Sequence, residues 1–92
     1  MKVLLTKRFL AAASKLAREE RRAVDAALSS LLATYGRPHA HAGGSVRPLK
    51  PPVYELRASL ALRVVFVRDG DALKVDFVGD HGAVRDYLRN SR

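Results

Sequence analysis

The dipeptide Asp69-Gly70 separates two runs rich in β-branched and aromatic residues, Ala61 to Val67 and Leu73 to Val78. Two-residue hairpin turns require positive φ, which glycine adopts without steric cost, so Asp-Gly between two such runs predicts an antiparallel hairpin. Alternation then assigns the faces. Leu62, Val64 and Phe66 fall on one side with Leu73, Val75 and Phe77, whereas Arg63, Val65 and Val67 fall on the other with Lys74, Asp76 and Val78. A third run, Val53 to Arg57, has the same texture and extends the sheet.

The N-terminal half has a different periodicity. Residues 2–5 read as a short apolar strand, after which Thr6 is placed to cap a helix with Phe9, Ala12, Ala13 and Leu16 on its buried stripe, ending near Ala17. A second helix opens at Arg18 and carries Val24, Ala27, Leu28, Leu31 and Tyr35 on one face, with Gly36 and Pro38 as stop signals. Residues 36–52 contain Gly43-Gly44 and Pro51-Pro52 and predict a loop with a brief edge strand around Val46. Gly79-Asp80 starts a last helix through about Asn90, with Val84, Tyr87 and Leu88 inward and Arg85 and Arg89 outward. The expected fold is α+β: an N-terminal strand and a helical hairpin packed on a small antiparallel sheet, closed by a short C-terminal helix. Ninety-two residues leave room for one domain, residues 1–92.

Seventeen Lys and Arg against nine Asp and Glu give a net charge of +8, which attracts polyanions: RNA, DNA or an acidic protein. With no cysteine, neither a disulfide framework nor a thiolate zinc site can hold the fold, and a reducing compartment is expected. Charge interrupts the N-terminal apolar run too early for a signal peptide, and no window approaches a membrane span, so the expected location is cytoplasmic with no membrane partner. His39 and His41 have the spacing of a metal pair, yet no third ligand accompanies them, so no metal and no cofactor is expected.

Three stretches carry a resemblance. Val53-Tyr54-Glu55-Leu56-Arg57, then Leu62-Arg63-Val64-Val65-Phe66, then Val78-Gly79-Asp80-His81 beyond a polar hairpin, resemble the pattern of the RelE/ParE toxin superfamily. The resemblance implies the toxin of a type II toxin–antitoxin system, with a cognate antitoxin as partner in a hetero-oligomer. In its RelE-like form it also implies cleavage of messenger RNA on the ribosome, with the ribose 2′-hydroxyl as nucleophile and basic side chains in place of a metal. Carried onto this chain, Arg63 becomes the clamp on the scissile phosphate, His81 the general acid for the leaving 5′-oxygen, and Tyr87 the aromatic that orients the nucleotide. Arg47, Lys50, Arg57, Lys74 and Arg85 become the RNA-binding surface, and an antitoxin segment is expected over the face carrying Val65, Val67 and Val78. Two departures stand out: Phe66 replaces a frequent tyrosine, and Gly82-Ala83 stand where polar or acidic residues are common.

The chemistry suits these residue types independently. Guanidinium groups stabilise the charge that gathers on nonbridging oxygens during phosphoryl transfer, and an imidazole can donate a proton near neutral pH. Blander assignments fit the same residues: Arg63 as a cross-strand ion pair with Asp76 or Glu55, His81 as a loop residue beside an Asp80 cap, Tyr87 as core. Two other functions share the fold, a ParE-like inhibitor of DNA gyrase and a nontoxic binding module. The sequence offers no obvious general base.

Overall fold

The computed structural model describes residues 2–35 and 46–90. His39 and His41, and the Gly36 and Pro38 stop signals, lie outside them. In chain order the elements are β1 (Lys2–Leu5), α1 (Lys7–Ala13), α2 (Arg18–Tyr35), β2 (Val46–Lys50), β3 (Val53–Arg57), β4 (Arg63–Asp69), β5 (Ala72–Gly79) and α3 (His81–Asn90).

The strands form one sheet in the order β1-β5-β4-β3-β2, antiparallel throughout except that β1 runs parallel to β5. The Asp69-Gly70 turn forms as expected, with Gly70 at φ 63°. Thr6 caps α1, its Oγ1 accepting from the Phe9 N–H at 3.1 Å, while its own N–H donates to the Val75 carbonyl and continues the parallel pairing. The first helix stops at Ala13, four residues short of the expected end. Lys15 and Leu16 donate to the carbonyls three residues back, tightening the chain into a turn, and the Ala17 N–H donates to Glu20 Oε1 at 2.9 Å. That bond is half of a capping box and starts α2, so the residues from Ser14 to Ala17 serve the reversal between helices.

Two cores lie on opposite faces of the sheet. Phe9, Val24 and Leu31 of the helical hairpin pack with Leu56, Leu62, Val64, Phe66, Leu73, Val75 and Val78. On the other face Val84 and Tyr87 of α3 pack on Val65, with Leu49, Val53, Phe77 and Leu88 around them.

Two expectations are corrected here. Alternation placed Phe77 against the hairpin and Val78 on the opposite face; the structure exchanges them. Phe66 pairs with Val75 but Val65 pairs with Phe77, so Asp76 is an extra residue in β5. This β-bulge inverts the phase of every later side chain in the strand: Phe77 stacks on Tyr87 and Val78 joins the hairpin core. The expected antitoxin-covered face is changed by the same finding, because Val65 is fully buried beneath the chain's own α3 and Val78 is on the far side of the sheet.

Candidate active site

Strand register arranges the basic residues in rows across the α3 face. The middle row runs Arg47, Glu55, Val65, Phe77, and the row at the end of the sheet runs Arg57, Arg63, Gly79. Arg57 and Arg63 therefore face each other across β3 and β4, an arrangement of like charges that costs stability unless something compensates. Glu55 compensates. It is the buried charged residue of the described core, 7% exposed, and its Oε2 lies 3.2 Å from Arg47 Nη2 and 3.6 Å from Arg63 Nε.

Arg63 is held on two sides. Its side chain is 15% exposed, and besides the ion pair to Glu55 its Nη1 donates to the carbonyls of Ser59 (3.0 Å), Leu60 (3.3 Å) and Leu62 (3.3 Å) in the β3–β4 turn. The same turn is tied by Ser59 Oγ, which accepts from the N–H groups of Ala61 and Leu62. Arg63 is thus a rigid guanidinium rather than a solvated one. Of the two cross-strand partners considered from sequence, it takes Glu55, while Asp76 pairs with Arg8.

His81 enters two residues after Gly79, the register partner of Arg63, and so stands at the same end of the sheet. It is exposed on the first turn of α3, where Asp80 caps the helix by accepting from the Ala83 N–H at 2.8 Å. Arg85 Nη2 lies 3.2 Å from His81 Nε2. Since guanidinium can only donate, this contact is a hydrogen bond only when Nε2 is the unprotonated ring nitrogen. Gly79 lets the helix start so close: a Cβ there would lie 2.8 Å from Ala83 Cβ and 3.0 Å from Phe77 Cε2.

Tyr87 is placed differently. Its hydroxyl donates to Asp76 Oδ2 at 2.6 Å, its ring stacks on Phe77 with centroids 5.3 Å apart, and the Arg8 guanidinium lies 5.5 Å over it. Asp76, the bulge residue, is therefore the point where α1, β5 and α3 are tied together. Lys50 and Lys74 occupy a third row, Lys50, Val53, Val67, Lys74, at the hairpin end of the sheet, about 13 Å along β4 from Arg63 at ordinary strand rise. Lys74 pairs there with Asp69 at 3.1 Å. The structure thus gathers Arg47, Arg57, Arg63, His81 and Arg85 at one end, and separates Lys50 and Lys74 from them.

Sequence reasoning missed two participants. Glu55 entered only as a possible partner of Arg63, although its place within Val53 to Arg57, on the face opposite Tyr54 and Leu56, was a usable signal. Arg8 gave none, because nothing local links residue 8 to residues 76 and 87. Among the described residues no helix is long and apolar enough to cross a membrane.

A five-stranded, mostly antiparallel sheet with a helical hairpin on one face and a C-terminal helix on the other is the fold of RelE/ParE toxins. The RelE of a RelB–RelE antitoxin–toxin complex from Methanococcus jannaschii superposes with a TM-score of 0.69 at 14% identity, covering 92% of this chain and 98% of that one. YafQ from Escherichia coli gives 0.68 at 12% identity over 90% and 96% of the two chains, and a YoeB/ParE toxin from Agrobacterium tumefaciens gives 0.64 at 17% over 88% and 99%. By sequence, the chain matches no family model and no curated protein.

Proposed function

We propose that this protein is the toxin of a type II toxin–antitoxin pair, acting in the cytoplasm as a metal-independent endonuclease on ribosome-bound messenger RNA. The observation that carries the reading is the end row of the sheet, where Arg63, fixed and half-buried, faces Arg57 and lies in register with Gly79, two residues before His81. A phosphodiester seated there meets preorganised donors on one side and an imidazole on the other. The ribose 2′-oxygen attacks phosphorus and loses its proton to water. The P–O5′ bond breaks, His81 protonates the departing oxygen, and a 2′,3′-cyclic phosphate and a 5′-hydroxyl result. Arg63 and Arg57 stabilise the charge on the nonbridging oxygens, and Arg47 and Arg85 extend the surface along the RNA backbone.

The fold's occurrence in structures solved as antitoxin–toxin complexes, RelB–RelE and DinJ–YafQ, supports a cognate antitoxin as partner. Lys50 and Lys74 belong to an outlying contact surface for the ribosome or RNA, and Tyr87 acts by holding α3 in place. The test is induction of the protein without its antitoxin, followed by mapping of messenger RNA 5′-ends. Growth arrest with new 5′-hydroxyl ends inside translated frames supports the reading. Arrest with intact messages and inhibited DNA supercoiling would favour a gyrase-directed toxin, and unimpaired growth a nontoxic binding module.

A further inference from the structure

We propose that Glu55 is a positioning residue, a buried carboxylate that fixes the plane of the Arg63 guanidinium so that its Nη2 edge is offered to a phosphate. The inference rests on the nuclease reading of this end of the sheet. Its starting point is a cost. Burying a carboxylate and a guanidinium removes both from water, and such pairs are often no more stabilising than well-packed apolar residues of similar volume. Glu55 lies in a row with Val65 and Phe77, where an apolar side chain would continue the α3-face core. Offsetting the Arg57–Arg63 repulsion gives the charge one reason, but it does not require Arg63 to be held in a single orientation.

The geometry supplies another reason. Arg63 Nε is engaged by Glu55 and Nη1 by three turn carbonyls, which together fix the guanidinium plane, whereas Nη2 has no hydrogen-bond partner among the described residues. Guanidinium carries five N–H donors in a rigid fork, so fixing two of its nitrogens aims the third. The same carboxylate holds Arg47 from the neighbouring strand at 3.2 Å and offsets the repulsion between Arg57 and Arg63. Two guanidiniums pair with one carboxylate and Arg57 stands opposite Arg63, so the cluster stays positive and Glu55 orders Arg47 and Arg63 without cancelling their attraction for a phosphodiester.

A purely structural role and a purely competing negative charge predict different results. Wild type, Glu55→Gln and Glu55→Asp full-length proteins would be compared in thermal melting, in kcat and KM for messenger cleavage on programmed ribosomes, and in the NMR signal of the Arg63 Nε–H. Binding of a short 2′-O-methyl RNA, which cannot be cleaved, would be followed on the same signal. Positioning predicts that Glu55→Gln lowers kcat by about 10²-fold, the scale of a small misplacement, with KM within a few-fold of wild type. The Arg63 Nε–H signal should broaden or shift, and Glu55→Asp should recover part of the rate. Glu55→Gln cleaving like wild type per folded molecule, whether with a lowered melting temperature or with tighter RNA binding, would overturn the proposal. If wild type itself does not cleave, the nuclease reading fails and binding decides the inference. A shift of the Arg63 signal by 2′-O-methyl RNA in wild type but not in Glu55→Gln supports positioning; no shift in wild type, or equal shifts in both, overturns it.

Discussion

Tyr87 shows how one side chain can be tied into the fold by both its polar and its apolar parts. Its hydroxyl donates to Asp76 and its ring contacts Phe77 and the Arg8 guanidinium, so its polar and apolar parts are both used within the fold. Tyr87→Phe should therefore destabilise the protein by about 1.5–3 kcal/mol, the range for a hydrogen bond to a charged group, and leave cleavage per folded molecule nearly unchanged. Thermal melting and a cleavage assay on the same preparation check this, and a large loss of rate without loss of stability would return Tyr87 to the nucleotide. Asp80→Ala removes the cap of α3 and should cost about 1 kcal/mol, detectable as a lowered melting temperature. At this scale the sequence was informative where a residue's role depends on its own strand. The inward phase of Glu55 was readable, but its two arginine partners depend on register between three strands. The Asp76–Tyr87–Arg8 cluster joins residues from three elements, and nothing in the local spacing reveals it.

Among the elements, β5 is where periodicity misled. Its second half obeys an alternation that the bulge at Asp76 has inverted, and a bulge adds one residue without changing the composition of the run. Val78→Ala tests the phase directly. Beneath the helical hairpin, with 3% exposure, the truncation should cost about 2–3 kcal/mol in denaturant unfolding, whereas on an outer face it would cost less than about 0.5 kcal/mol. Gly79→Ala should likewise destabilise by about 1–3 kcal/mol, since its Cβ would push into Ala83 and Phe77 and lift the start of α3 from the sheet. The existence of each strand and helix was legible because burial imposes a period on sequence. The early end of α1 was not, because it is decided by Glu20 capping the next helix rather than by any stop signal after Ala13.

For the whole molecule, the sheet order is the part that sequence could not supply. A hairpin signal specifies neighbours, so β4 beside β5 was readable, but the parallel docking of β1 on β5 joins the N-terminus to a strand some seventy residues away. That docking places α1 against β5 and completes a sheet whose two faces do different work, one closed by the hairpin and one bearing the arginine rows at the rim of α3. The net charge of +8 favours a polyanion, and the rows place part of it at the end of the sheet where α3 begins with His81. The most direct measurement is cleavage of messenger RNA on purified translating ribosomes by wild type, Arg63→Ala and His81→Ala, with thermal melting of each. The expected result is cleavage by wild type and a loss of about 10²–10³-fold in turnover in both variants while they remain folded. Full-rate cleavage by both folded variants, or none by wild type, would contradict it.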